Sequence, residues 1–356
     1  MVKEMNDIDK RLLATAEEGN YTALLELGKL NGLTDKKECV RSAIIKHGIK
    51  KVRVGEINVA KSAFENCKSL EIVELCSGIK HIGKNAFKNC TSLKSIVIPI
   101  GVTRIAASAF ADCCNLQNIS MPKHIIEIEA STFENCTTLK SIVLPSGITK
   151  IGAGAFTGCC NLENIFLPKC LKEIGEYAFK GCTKLRNVII PDNTFIVEKG
   201  VFEGCINLKN VVLSSRMTKI SNSLFKECSS LNRIEIPVNV TELGDSAFRG
   251  CSSLDGIAIN NGIQKIGEYA FRGCTNLKSI ELPDSIIEIG KGAFKNCSNM
   301  DSVILPNSIA EIKTETFSYC RSLKSIVIPE SVMEIKPNAF EYCDELPCVV
   351  LSNTSL

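Results

Sequence analysis

Nineteen cysteines and three histidines give this 356-residue chain its chemical potential. Thiols and imidazoles bind metals, attack electrophiles, relay protons or form disulfides, and each role needs its own spacing. Thirteen of the cysteines, from Cys67 and Cys90 through to Cys320 and Cys343, recur every 23 residues. That interval gives no C-x-x-C, and no H-E-x-x-H occurs. His47, His81 and His124 lie near no cysteine at ligand spacing, so neither metal nor cofactor is expected. No phosphate loop or G-x-S-x-G elbow is present, and Gly152-Ala-Gly154 lacks the third glycine of a dinucleotide turn. Nothing in the chain assembles a catalytic constellation, and the expectation is a protein that is not an enzyme.

The regular thiols read instead as one rung per repeat of a reduced ladder, since a small thiol is among the most readily buried side chains. Their odd number could not all pair. The other six, Cys39, Cys76, Cys114, Cys160, Cys170 and Cys348, share no column, except Cys114 with Cys160, which lie two repeats apart. Sequons such as Asn89-Cys90-Thr91 and Asn135-Cys136-Thr137 are by-products of the same repeat.

The ladder must be positioned by a repeating unit, and Ile82–Pro99, IGKNAFKNCTSLKSIVIP, shows it most plainly. Its phenylalanine returns thirteen times at intervals of 23, from Phe64 and Phe87 to Phe340, without insertion. A short fixed period means a solenoid, in which each repeat buries its apolar side only against its neighbours. Six residues after the phenylalanine comes Leu, with Met300 the one exception, and nine and eleven after come aliphatic residues. Positions nine and eleven share one face of a strand. Position twelve is usually Pro, as in Pro99 and Pro122, which cannot donate to a ladder and ends the strand. Apolar residues at fifteen and eighteen, such as Val102 and Ile105, predict a second short extended segment. Ala-Phe-x-x-Cys predicts a helical turn, and the preceding glycine, as in Gly83 or Gly267, a tight corner.

Residues 1–50 do not repeat and predict a three-helix N-terminal cap on a solenoid over 51–356. Asn6 or Asp7 opens the first helix, with Ile8, Leu12, Leu13 and Ala16 at helical spacing. Asn20 caps the second, carrying Leu24, Leu25 and Leu27. Thr34 or Asp35 opens the third, with Val40, Ile44 and Ile45 on one side and His47 at its end. Lys51–Val54 reads as a first, degenerate strand.

The pattern I-G-x-x-A-F-x-x-C followed by L-x-x-I-x-L-P, cleanest over 82–99, 151–168 and 266–283, resembles the BspA-like subgroup of the leucine-rich repeat family. The resemblance spans about residues 55–352. It implies a right-handed horseshoe or arc with a parallel β-sheet face and short helical turns. It also implies protein–protein recognition, often adhesion to host or matrix proteins. Cys76, Ser214, Asn260 and Ser352 replace the proline in their repeats.

Composition narrows the partners. The 42 basic and 39 acidic residues leave a net charge of +3, no field for nucleic acid, and no apolar run reaches the length of a membrane span. The start, MVKEMNDIDKRLLATAEEGN, lacks the apolar segment of a secretory signal, so the chain reads as cytoplasmic as written, whereas the resemblance implies a surface or secreted protein.

Position ten after the phenylalanine lies between two packed positions and must face outward. Four consecutive repeats place Val143, Phe166, Ile189 and Val212 there. Position eight adds Asn164 and Asn187, and position seven Arg186. An apolar strip with polar flanks is the expected contact surface for a protein partner, with a glycan as the lesser option. The alternative is an architectural or self-associating component, including a homodimer through the C-terminal end coil, whose Pro347 blunts its edge.

Overall fold

The computed structural model describes residues 7–351, so the Asn6 start, Ser352 and the SNTSL end lie outside the described residues, as does the side chain of Ile8. The chain divides into two compact units, Met1–Cys170 and Leu171–Leu356.

The first unit opens with helices α1 (Asp7–Glu17), α2 (Tyr21–Lys29) and α3 (Lys36–His47). Asn20 caps α2 by accepting from the Ala23 N–H at 3.1 Å. Asp35, rather than Thr34, caps α3, accepting from the Glu38 N–H at 3.1 Å. Gly48 closes α3 in the left-handed conformation that glycine adopts without steric cost. The buried stripe of α3 is Cys39, Val40, Ala43 and Ile44, whereas Ile45 faces outward. Gly28 lets the two helices touch, because a Cβ there would sit 2.2 Å from the Cys39 Cα. Helices and coil are then joined by backbone: the Arg53 N–H donates to the Gly19 carbonyl, the Arg41 guanidinium to that of Ser62, and the Ser69 hydroxyl to that of Ile49. Phe64, at the helical end of the coils, is only 1% exposed.

From Lys51 onward the chain is a parallel β-solenoid. Most coils carry a strand of three or four residues, such as Ser95–Val97, and a two-residue strand, such as Arg104–Ile105. The strand Lys51–Val54 pairs with Ile72–Leu75, as the degenerate first strand should. Ser95–Val97 pairs with Asn118–Ser120, and in the second unit Asn187–Ile189 pairs with Asn210–Val212, always in parallel and one repeat apart.

Between the strands, Ala-Phe-x-x-Cys forms the expected short turns, closed by three-residue bonds such as Cys67 N–H to Phe64 carbonyl. It is also a third ladder. The Ser62, Phe64 and Asn66 N–H groups donate to the Lys84, Ala86 and Lys88 carbonyls of the next coil, and the second unit repeats this from Ser246, Phe248 and Gly250. To aim alternate N–H groups along the stack, the residues two before and two after each phenylalanine sit at positive φ. Asn, Gly, Asp and Ser fill most of those places, as that conformation favours.

The core is built from columns. In the first unit the rings of Phe64, Phe87, Phe110, Phe133 and Phe156 stack in sequence with centroids 5.2 to 5.7 Å apart. In the second unit Phe179 to Phe340 do the same. Offset stacking at this separation suits the ring quadrupole. The corner glycines have a different reason from the one their type suggests. Gly83, Gly152 and Gly267 do not lie at positive φ. A Cβ on any of them would come within 2.6 Å of a backbone nitrogen in the preceding coil. They permit close coil approach rather than an unusual turn.

These contacts predict where substitution costs most. Phe202→Ala should remove about 3–5 kcal/mol locally, by lost transfer energy and a cavity, whereas the half-buried Phe340 should cost clearly less. Gly267→Ala should cost about 1–3 kcal/mol, while Gly147→Ala, with nothing within 4 Å of its added carbon, should be near neutral. Amide hydrogen exchange across the flanking coils reads all four.

Candidate partner-binding face

The sheet face is where unlike side chains meet solvent. In the first unit Ser141–Ile142 pairs with Asn164–Ile165, matching Ser141 to Asn164 and Ile142 to Ile165. Ile142 and Ile165 point into the core, which turns the following Val143 and Phe166 outward, and both are 85% exposed. Asn164 is exposed beside them. In the second unit Asn187 matches Asn210 and Ile189 matches Val212. Ile189 and Val212 are exposed, and the Asn210 amide donates to the Asn187 side-chain oxygen at 2.7 Å. Arg186 is exposed one residue before Asn187.

Further exposed apolar residues carry weaker sequence signals. Val97, Ile304 and Val327 occupy the same outward column without a run of four. Ile126, Phe195, Ile287 and Met333 face solvent one residue before the short strands or at their edge. Ile287, Ala310 and Met333 line a groove of about 300 Å³, walled by Glu288, Glu311, Glu334 and Lys313. The signal was present as a column sixteen residues after each phenylalanine. It is hidden because most coils place Thr, Lys or Gln there.

The cysteine ladder has a specific partner. From the second rung on, ladder thiols donate to the phenylalanine carbonyl of the preceding coil, as Cys90 does to Phe64 at 3.1 Å and Cys228 to Phe202 at 3.1 Å. The same carbonyl accepts the N–H of its own coil's cysteine, so both lone pairs are used. A thiol fits here because it fills a small apolar space and still offers a weak donor. Burial pushes Cys67, Cys113, Cys205 and Cys297 up to about 12, and the half-buried Cys343 to about 11. Thiols held this far from ionisation are poor nucleophiles and poor ligands. Cys76, Cys170 and Cys348 are exposed.

The histidines do not converge. Burial and Lys46 lower the His47 pKa, so the cation at the end of α3 is Lys46. His81 lies opposite Arg104 on the short-strand face, and His124 is exposed in a separate coil. Among the described residues no three His, Cys, Asp or Glu side chains are grouped to hold a metal, and no helix is long and apolar enough to cross a membrane.

The family model for the BspA type leucine rich repeat region matches residues 57–173, 149–261 and 242–355. The chain belongs to the BspA-type leucine-rich repeat family. Among solved structures, a leucine-rich repeat protein from Bacteroides ovatus is 30% identical, with a TM-score of 0.67, over 85% of this chain and 78% of that one. A leucine rich cell surface protein from Faecalibacterium prausnitzii is 26% identical, with a TM-score of 0.54, over 84% and 83% respectively. No curated protein sequence matches. The BspA-type repeat accounts for the parallel strands and the stacked phenylalanines.

The thiols make a pH prediction. Below about pH 9 folded and unfolded chains both hold the thiol proton, and stability is unaffected. Above it the unfolded chain loses protons that the buried rungs keep, so stability falls as pH rises from about 9 towards 12, by up to about 1.4 kcal/mol per pH unit per rung. Thermal melts between these limits should steepen accordingly, and Cys205→Ala should flatten the slope. In the folded chain at pH 8, iodoacetamide should label Cys76, Cys170 and Cys348 first, as peptide mass spectrometry would read.

Proposed function

We propose that the chain is a non-enzymatic recognition scaffold that binds a protein partner through its sheet face. The candidate contact residues are Val143, Phe166 and Asn164 on the sheet face of the first unit, and, separately, Ile189, Val212, Asn187 and Arg186 on that of the second. The observation that carries this reading is Phe166, a ring 85% exposed at the end of the strand Asn164–Ile165, beside an equally exposed Val143 at the end of Ser141–Ile142. Exposed aromatic and aliphatic side chains of this kind gain most when a partner covers them, and aromatics dominate interface energetics. Strand propensity favours valine and phenylalanine alike, but Phe166 lies one residue beyond the strand Asn164–Ile165, where propensity does not account for it. The likeness to a leucine rich cell surface protein from Faecalibacterium prausnitzii supports surface display. The helices α1 to α3 act in this reading as a cap over the first coil rather than as a second recognition domain.

A second reading has its own observation. Phe340 is half-buried and Ile335 is exposed, whereas the equivalent Phe317 and Ile312 are buried, so this coil presents core side chains. This supports a homodimer through the end coil and an architectural role. Light scattering over a hundredfold concentration range separates the two readings, since a strict monomer removes the second.

The first reading predicts that Phe166→Asp and Ile189→Lys each weaken capture of the partner by about tenfold or more, with melting unchanged because both side chains are exposed. Undiminished binding by the double variant in parallel affinity capture would refute it.

A further inference from the structure

The sheet face of the second unit carries more than apolar side chains. Arg186 and Lys209 occupy the same column in adjacent coils, and the Lys209 N–H donates to the Arg186 carbonyl at 2.9 Å. Arg233 follows in the next coil, on the outward side of the strand Arg233–Glu235. All three are exposed, and none has an ion-pair partner among the described residues. On the outward strand positions of these coils the carboxylate is Glu235, and Asp255, exposed one coil further on, lies in the column of Arg186 and Lys209. Asp192, at the strand exit, is already engaged by the Ser215 N–H and hydroxyl, both at 3.1 Å.

Several other cations of this unit stand in alternation with carboxylates, although Lys278 and Lys324, in the column of Arg186 and Lys209, are exposed as well. On the short-strand face Lys219, Glu242, Lys265 and Glu288 alternate in register. On the turn face Glu203 lies between Lys180 and Lys226 at 3.3 and 3.2 Å. On the sheet face, Arg186, Lys209 and Arg233 are the cations that lie in consecutive coils, and the first two share their strands' coils with the exposed apolar pair Ile189 and Val212. Coils stack about 5 Å apart, well within a Debye length, so the three charges act on a ligand together.

We propose that this face takes an acidic polypeptide segment bearing aliphatic side chains. Its carboxylates would meet Arg186, Lys209 and Arg233, and its apolar residues would cover Ile189 and Val212. Charge complementarity sets the sign of the partner, and guanidinium groups favour bidentate carboxylate contacts. The aliphatic pair sets its class, because two β-branched side chains offer no flat ring on which a sugar could stack. The proposal rests on the recognition reading and narrows it to one partner chemistry.

The test uses the full chain and two blocked peptides of about twelve residues, one repeating Glu-Ile-Glu-Ser and the other Lys-Ile-Lys-Ser, with binding read by fluorescence anisotropy. The acidic peptide should bind at least about tenfold more tightly, and should weaken between about 50 and 500 mM salt. Arg186→Ser with Lys209→Ser should erase that preference, and Ile189→Ser should weaken the acidic peptide independently. Equal binding of both peptides, with both lost in Ile189→Ser, would overturn the acidic preference and leave the recognition face standing. Binding indifferent to all three substitutions would overturn the proposal and leave the recognition reading to the Phe166→Asp test. Failure of the acidic peptide to bind at about 1 mM, or tighter binding of a heparin oligosaccharide that depends on Arg186 and Lys209, would overturn the polypeptide assignment.

Discussion

One carbonyl oxygen per coil holds the solenoid to its period. The phenylalanine C=O accepts the N–H of the cysteine three residues on and the thiol of the cysteine in the next coil. Both donors must arrive at fixed places, so the distance from one phenylalanine to the next cannot vary without leaving a buried polar group unpaired. The ring on the same residue stacks on its neighbour, which ties the apolar packing to the same interval. Satisfied hydrogen bonds and close packing thus demand one repeat length, and thirteen copies keep it without an insertion.

That constraint decides what chemistry the surface can carry. Identical positions fall into columns, so like side chains line up and unlike ones rarely converge. Alternating charges along the short strands become cross-strand pairs, as in Glu127 opposite Lys150, and buried thiols become an unreactive ladder. What remains variable is the outward column of the longer strands, where changing a residue disturbs no core contact. Recognition is the chemistry such a surface performs best, because a line of side chains covers a partner without enclosing it.

Some features were legible because they obey local rules. Asn20 and Asp35 cap helices, Gly48 closes one, and Lys51–Val54 makes a strand from its own alternation. The outward placement of Val143, Phe166, Ile189 and Val212 followed from strand alternation and agrees with their exposure. Ile45 was misplaced because the packed stripe of α3 is centred on Cys39, Val40, Ala43 and Ile44, and one more residue around the helix carries Ile45 past its edge. Other features were hidden because they join residues in different coils. Tyr177 and Tyr269 adopt positive φ, and each ring lies against a glycine one repeat later, Gly200 and Gly292, where a Cβ would meet it at 2.4 Å. Read singly, those tyrosines and glycines have no evident connection.

The sequence alone determined the period, the buried columns and the alternation of inward and outward strand positions, because each depends on spacing along the chain. The tertiary structure decided what faces what across coils. It gave the thiols their acceptor, assigned the glycines to close approach, and left Arg186, Lys209 and Arg233 unmatched beside an exposed apolar pair. Those facts depend on the separation between neighbouring coils, which packing sets and which no interval along a single strand encodes.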